Sequence, residues 1–186
     1  MSIRFTTEAA LENNDKSEVW RREIENAALR GDKADLPLKF GNPYAVVYLA
    51  LADIAAGNKM AGVVGRTAWR QSVSHGESVT GDIEFNEALE PIAFHEGPAK
   101  DGLRAAIAAA ENVEGDFEAS VLECAPLRFI ALWLHSDTED WVIPFAPNLT
   151  DLPNNEPIAM SEATSVLQSA AKAVLEAMEV SDQIGG

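Results

Sequence analysis

Hydrophobic and polar residues alternate most clearly in the middle of the chain. Two runs, Thr67–Val73 and Ser78–Phe85, flank a short polar segment that contains His75 and Gly76. In the second run, Val79, Gly81, Ile83 and Phe85 lie on one face, and Thr80, Asp82 and Glu84 lie on the other. Alternation with a period of two residues around a short glycine-containing turn predicts a β-hairpin.

Three further apolar runs predict strands later in the chain: Phe117–Cys124, Arg128–Leu134 and Trp141–Phe145. Because the run Arg128–Leu134 is apolar on both faces, it is the best candidate for the central strand of the sheet. Pro144 has no N–H to donate, so the last strand is expected to lie at an edge or to end at this residue.

Helix signals occur on both sides of these runs. The segment Asp15–Glu18 has the form of a capping box, and its helix is predicted to end at Gly31. Asn42-Pro43 and Gly57 delimit a second predicted helix. Its residues 43–56 are apolar nearly all round, so we expect it to be buried in a core or against a second copy of the chain.

Two more helices are predicted towards the C-terminus. Gly97-Pro98 begins the first, which carries Leu103, Ile107 and Ala110 on one face. Ser161 is the expected N-cap of the second. The apolar stripe of this last helix has helical spacing and comprises Ala163, Val166, Leu167, Ala170, Val174 and Met178.

Together these elements predict an α+β fold. We expect an antiparallel sheet of about five strands (hairpin, helix, three-strand meander), packed with two N-terminal helices and one C-terminal helix. Residues 1–41 are predicted to form the N-terminal helix and a connector, and residues 42–180 a single domain that includes the C-terminal helix. Residues 181–186 are predicted to be a flexible tail.

The net charge of −16 is unevenly distributed. Residues 1–70 hold ten Lys/Arg and nine Asp/Glu, whereas residues 71–186 hold four and twenty-one, which gives them a charge of −17. Binding to nucleic acid or to an anionic membrane requires clustered cations, so both are disfavoured. A basic protein partner is favoured instead.

The most apolar stretch, Tyr44–Ala56, is too short to span a membrane, which takes about 20 residues. The first residues lack the apolar region of a signal peptide. With Cys124 as its one cysteine, the chain cannot form an internal disulfide. We therefore expect a cytoplasmic protein.

No segment matches a catalytic, metal-binding or cofactor-binding motif. The three histidines, His75, His95 and His135, show no metal-ligand spacing. Cys124 is expected to be a small buried hydrophobic residue rather than a nucleophile.

Six residues are candidates for an interaction surface. Asp137, Glu139 and Asp140 lie in an acidic turn that begins at His135. A turn at the end of a hairpin buries a carboxylate too little to shift its pKa, so we expect these side chains to be solvated rather than catalytic. The aromatic residues Trp69, Trp133 and Trp141 lie in predicted strands. They are expected to pack in the core, unless several are exposed together as a binding face.

These observations favour a non-enzymatic interaction or assembly protein (an adaptor, inhibitor or immunity-like protein) that presents an acidic surface to a basic partner. Self-association through residues 43–56 is a second possibility. One alternative is a hydrolase-type enzyme with a site assembled from distant residues, His135 or His95 with a carboxylate. Another is a small-ligand carrier with Trp69 or Trp133 as the floor of its pocket.

Overall fold

The computed structural model describes residues 2–5, 38–58, 64–75, 78–96 and 99–184. These residues form an α+β fold, as predicted, with nine strands in one sheet and three helices. The elements in chain order are β1 (Ser2–Phe5), β2 (Leu38–Leu49), α1 (Leu51–Ala56), β3 (Val64–His75), β4 (Ser78–Phe85), β5 (Pro91–Glu96), α2 (Ala99–Ala110), β6 (Asp116–Cys124), β7 (Phe129–His135), β8 (Asp140–Pro144), β9 (Ile158–Ala159) and α3 (Met160–Ile184).

The sheet is larger than expected and is mixed. Its strand order is β5-β4-β3-β2-β6-β7-β8-β9, and β1 pairs with β6 beside the end of β2. Most pairs are antiparallel, but β1 and β2 both run parallel to β6. The prediction of about five antiparallel strands is therefore wrong in detail. Strands β1 and β9 are only four and two residues long, too short to show an alternating pattern.

The predicted helix over residues 43–56 is also wrong. Most of this segment belongs to β2, and only Leu51–Ala56 is helical. Its aromatic and β-branched residues favour a strand, and burial on both faces of the sheet explains why it is apolar all round. Pro43 is tolerated because the pairing with β3 shifts register between Phe40 and Pro43. Gly57 ends the helix in the left-handed conformation, with a φ of 77°, as the sequence indicates.

Several local predictions are confirmed. Strands β3 and β4 form the expected hairpin, α2 lies where a helix was expected, and β6, β7 and β8 form the meander. Strand β7 is buried on both faces and lies inside the sheet, but the centre of the strand order falls between β2 and β6 rather than at β7. Strand β8 ends at Pro144.

Helices cover both faces of the sheet. On one face, α2 packs through Ala106 and Ala110 against a cluster that includes Val46, Val121 and Leu132. On the opposite face, α1 and α3 pack against a second cluster, which contains Val47, Leu122, Cys124, Ala131 and Leu167. A third cluster, Val73, Ile83 and Phe85, lies on the β3–β4 hairpin.

Helix α3 packs on the sheet only over its first half. Ala163, Leu167 and Ala171 are fully buried, whereas Met178 is 54% exposed, so the predicted apolar stripe continues beyond the core. The helix runs to Ile184, into the segment predicted to be a flexible tail. The predicted helix over residues 15–31 lies outside the described residues, and the domain boundaries stay a prediction.

We expect Leu167→Ala to lower the free energy of unfolding by about 2–5 kcal/mol, because it leaves a cavity in a close-packed core. Met178→Ala, on the exposed part of the same helix, should change this free energy by no more than about 0.5 kcal/mol. Urea unfolding followed by circular dichroism measures both variants. An equal decrease in the free energy of unfolding for the two variants would contradict the packing of α3.

Candidate functional site

A network of polar side chains joins five neighbouring strands on the face of the sheet that carries α2. Its members are Tyr48 from β2, Arg70 from β3, Glu84 from β4, His95 from β5 and Glu123 from β6. Arg70 and Glu84 are buried. Cross-strand register places them together, because Arg70 lies opposite Glu84 in the β3–β4 hairpin and Tyr48 lies opposite Glu123. We call this set the polar network.

The centre of the polar network is one carboxylate oxygen. Tyr48 Oη donates a hydrogen bond to Glu84 Oε2 at 2.7 Å. Arg70 donates to the same oxygen from Nε at 3.3 Å and from Nη2 at 3.2 Å. His95 Nε2 lies 2.7 Å from it. A single buried carboxylate therefore ties side chains of β2, β3 and β5 to β4.

Arg70 is the matching cation. Its Nη2 donates to Tyr48 Oη at 3.0 Å and lies 3.0 Å from Glu123 Oε2. That second contact is an ion pair without hydrogen-bond geometry. Burial alone would lower the pKa of Arg70, but the charge of Glu123 and the other acidic neighbours raises it above its usual value. Arg70 therefore stays charged inside the fold.

The polar network also shifts the pKa values of its acidic members. Burial alone would raise the pKa of Glu84, but hydrogen bonds from Tyr48 and His95 and the charge of Arg70 outweigh it, so this pKa is lowered. Burial raises the pKa of Tyr48 to about 12, despite the opposing charge of Arg70. Tyr44 lies outside the polar network on the same strand as Tyr48, and burial and the neighbouring Asp82 raise its pKa well above the ordinary value.

Sequence reasoning missed the polar network. The alternation of β4 correctly placed Asp82 and Glu84 on one face, but both residues are buried. Arg70 stood out as a charge inside the apolar run Thr67–Val73. The pairing at the turn does not by itself place Arg70 opposite Glu84, because a register shift between Val73 and Ser74 moves the pairing by one residue. The contact of His95 required β5, which was not predicted.

A second group of charged residues crosses the sheet where β6 begins and β7 ends. Arg4, Glu118, His135 and Asp140 occupy adjacent register positions on β1, β6, β7 and β8. His135 Nδ1 lies 2.6 Å from Asp140 Oδ1. The His135 ring is tilted against Trp133, with 5.2 Å between their centroids. This row lies on the face opposite the polar network.

An open cleft of about 340 Å³ lies beside this row. We call the carboxylates around it the acidic corner: Asp116, Glu118, Asp137, Glu139 and Asp140. All are exposed except Asp140, which is half-buried. The residues lining the cleft are Ser2, Arg4, Asp116, Phe117, Glu118, His135, Ser136 and Asp137.

The turn that carries part of the acidic corner is held by Ser136. Its Oγ accepts hydrogen bonds from the backbone N–H groups of Thr138 and Glu139, at 3.3 and 3.1 Å. The same hydroxyl donates to the carbonyl oxygen of Glu139 at 2.8 Å. The carboxylates of this turn are therefore presented on an ordered backbone.

The six predicted interaction residues separate into two groups. Asp137, Glu139 and Asp140 gather in the acidic corner. The half-buried tryptophans pack against three different clusters, Trp69 on the hairpin, Trp133 beneath α3 and Trp141 beneath α2. They do not form a common face.

Other candidates have structural roles. Cys124 is fully buried in the α3 cluster, and burial raises the pKa of its thiol, so it is a poor nucleophile. Tyr44, Ala45, Val46, Val47, Leu49 and Ile54 are all buried within this chain. The larger apolar side chains of the range 43–56 therefore pack mainly within this chain, and self-association through this range stays a prediction.

The described residues contain no cluster of histidine, cysteine or acidic side chains that would hold a metal ion. His95 and His135 lie on opposite faces of the sheet, and the side chain of His75 is outside the described part. No helix in that part is long and apolar enough to cross a membrane. Comparisons with protein-family models, curated proteins and solved structures found no match to this chain.

Both tyrosines of the chain, Tyr44 and Tyr48, should resist ionisation in the folded protein. At pH 10 we expect about half of the tyrosine to be ionised in the guanidinium-unfolded chain and almost none in the native one. Ultraviolet difference absorbance of tyrosinate measures this. Tyr48→Phe should leave the tyrosinate absorbance of the native protein at pH 10 unchanged, and one half-ionised tyrosine in the native parent protein would contradict the burial of Tyr44 or Tyr48.

Glu84 should make stability depend on acid pH. The ordinary pKa of this carboxyl group is 4.5, and folding lowers it. As the pH falls, the unfolded chain therefore takes up this proton before the folded protein does. The stability that Glu84 contributes is lost as the pH falls from 4.5 through the folded-state pKa. Glu84→Gln should be less stable than the parent at pH 7 and should lose less stability between pH 7 and pH 4. Urea unfolding at both pH values tests this, with Glu87→Gln as an exposed control. An identical acid loss in parent and Glu84→Gln would contradict it.

Proposed function

We propose that this protein is a non-enzymatic interaction protein whose acidic corner binds a basic segment of a protein partner. The observation that carries this proposal is the open cleft bordered by Asp116, Glu118 and Asp137. Carboxylates held at an open cleft can form charge-assisted hydrogen bonds with an ammonium or guanidinium group. An open cleft of about 340 Å³ has room for a lysine or arginine side chain.

The long-range charge supports the same partner chemistry. Residues 71–186 carry a charge of −17, and a field of this sign accelerates the encounter with a basic protein. Arg4 also lines the cleft and repels the positive charge of a lysine or arginine side chain that enters it. A bound basic side chain is therefore expected to lie towards Asp137 and Glu139.

A hydrolase-type enzyme is the alternative that has a specific observation in its favour. His95 contacts the buried carboxylate of Glu84, an arrangement that orients a histidine for general base catalysis. However, Glu84 is shared with Arg70 and Tyr48, which gives this contact a structural explanation. The described contacts of His95 place no serine or cysteine beside it. For a ligand carrier with Trp69 or Trp133 as the floor of its pocket, neither tryptophan lines the cleft at the acidic corner.

Binding of a fluorescein-labelled lysine-rich peptide, followed by anisotropy, tests the proposal. We expect the triple variant Glu118→Gln, Asp137→Asn, Glu139→Gln to bind about tenfold more weakly. Each exposed pair is worth roughly 0.2–1 kcal/mol, and about 1.4 kcal/mol corresponds to a factor of ten. Raising the salt from about 50 to about 300 mM should weaken binding by the parent protein.

A second triple variant with the same net charge as the first distinguishes binding at the acidic corner from an effect of the overall negative charge. It neutralises three exposed carboxylates outside the acidic corner and should keep affinity within about twofold of the parent. Equal losses in the two triple variants would mean that only net charge matters, and no binding by the parent would remove the proposal. The control substitutions are Glu87→Gln, Glu156→Gln and Glu179→Gln.

A further inference from the structure

A histidine lies among the carboxylates of the acidic corner. His135 ends β7 and lines the cleft beside Glu118 and Asp137. Its side chain is 47% exposed, so water and a bound partner can both reach it. Binding of a basic segment requires the carboxylates of this cleft, whereas it does not require a histidine among them.

Two contacts hold the ring of His135 in place. Its Nδ1 lies 2.6 Å from Asp140 Oδ1, and the ring is tilted by 46° against Trp133, with 5.2 Å between the centroids. An ionised carboxylate has no proton to donate, so Nδ1 carries the proton of the neutral ring and Nε2 has none. The next proton is therefore taken up at Nε2, and its charge appears at a fixed position in the corner.

Charged side chains face His135 from both neighbouring strands. Glu118 lies opposite it on β6 and Asp140 lies opposite it on β8, while Arg4 lies beyond Glu118 on β1. Across the sheet, the row thus holds a cation, a carboxylate, a histidine and a carboxylate. The remaining charged residues of the corner are Asp116, Asp137 and Glu139. Protonation of His135 completes an alternating row in which each carboxylate has a cationic neighbour.

We propose that protonation of His135 weakens the binding of a basic segment at the acidic corner. This regulation rests on the proposed function, because it acts on the same cleft. Histidine is the side chain that ordinarily changes its charge between about pH 5 and about pH 8, whereas aspartate and glutamate ordinarily stay ionised there. The affinity for a basic segment should therefore decrease as the pH falls through this range.

The same proton opposes the bound segment in two ways. The five carboxylates of the acidic corner and Arg4 carry a charge of −4 when ionised, and a protonated His135 reduces it to −3. The new charge also pairs with Glu118 and Asp140, whose Cβ atoms lie about 4.5–5.5 Å from its own across the strands. A lysine or arginine side chain of the partner must then compete with His135 for these two carboxylates.

The expected change in affinity is limited by the exposure of the site. Ion pairs in contact with water change an equilibrium constant by a factor of up to about five, so protonation of His135 should weaken binding about three- to fivefold. The separation of about 5 Å between neighbouring charges is shorter than the screening length of about 10 Å at about 0.1 M salt. The pH dependence should therefore persist at this salt concentration.

Peptide anisotropy at two pH values tests this proposal. The probe is a lysine-rich peptide without histidine, acetylated at its N-terminus so that it does not itself titrate, and labelled with a rhodamine because fluorescein titrates in this range. For the parent, the dissociation constant should rise about three- to fivefold between about pH 7.5 and about pH 5.5. His135→Asn keeps an N–H group to donate to Asp140 but cannot be protonated, so its dissociation constant should change by less than about 1.5-fold.

Two further variants make the result specific to His135. His95→Gln removes a histidine of similar exposure, 43%, that also lies beside a carboxylate but on the opposite face of the sheet, so it should keep the pH dependence of the parent. His135→Lys carries a fixed charge and should bind at about pH 7.5 as weakly as the parent does at about pH 5.5. Circular dichroism checks that each variant is folded at both pH values.

The outcomes separate this regulation from the binding site itself. A parent that binds equally at the two pH values, or a His135→Asn variant that loses as much affinity as the parent, would overturn the regulation and leave the acidic corner as a binding site. Tight binding of His135→Lys at about pH 7.5, or loss of the pH dependence in His95→Gln, would also overturn it. A parent that binds at neither pH would overturn the proposed function and the regulation together.

Discussion

The buried carboxylate of Glu84 is the constraint on which the arrangement of the sheet depends. Removing a charge from water costs several kcal/mol unless opposite charge and hydrogen bonds replace the lost solvation. Arg70, Tyr48 and His95 supply both from β3, β2 and β5. The hairpin and its neighbours must therefore keep one register, since a shift of one residue would send these side chains to the other face. We infer that the polar network specifies the pairing of this half of the sheet.

The other half of the sheet is organised by apolar packing. Strands β6, β7 and β8 are covered by α2 on one face and by α3 on the other, so their side chains are buried on both faces. The acidic corner lies where this packing ends, at the first residues of β6 and at the β7–β8 turn. The buried charges of Arg70 and Glu84 are therefore paired, whereas most carboxylates of the acidic corner are exposed to water.

The sequence predicted those parts of the fold that local pattern determines. The strands of the β3–β4 hairpin and the β6–β8 meander alternate or are largely apolar over five or more residues, and both motifs are present. Strand β2 was mistaken for a helix because Asn42-Pro43 resembles a helix start and a strand buried on both faces lacks alternation. The parallel pairing of β1 and β2 with β6 joins segments more than seventy residues apart, and no local signal encodes it. Asp137, Glu139 and Asp140 were found because they adjoin in sequence. Asp116 and Glu118 were not, because the strand pairing of β6 with β7 brings them to that turn, and His95 and Glu84 meet only through β5.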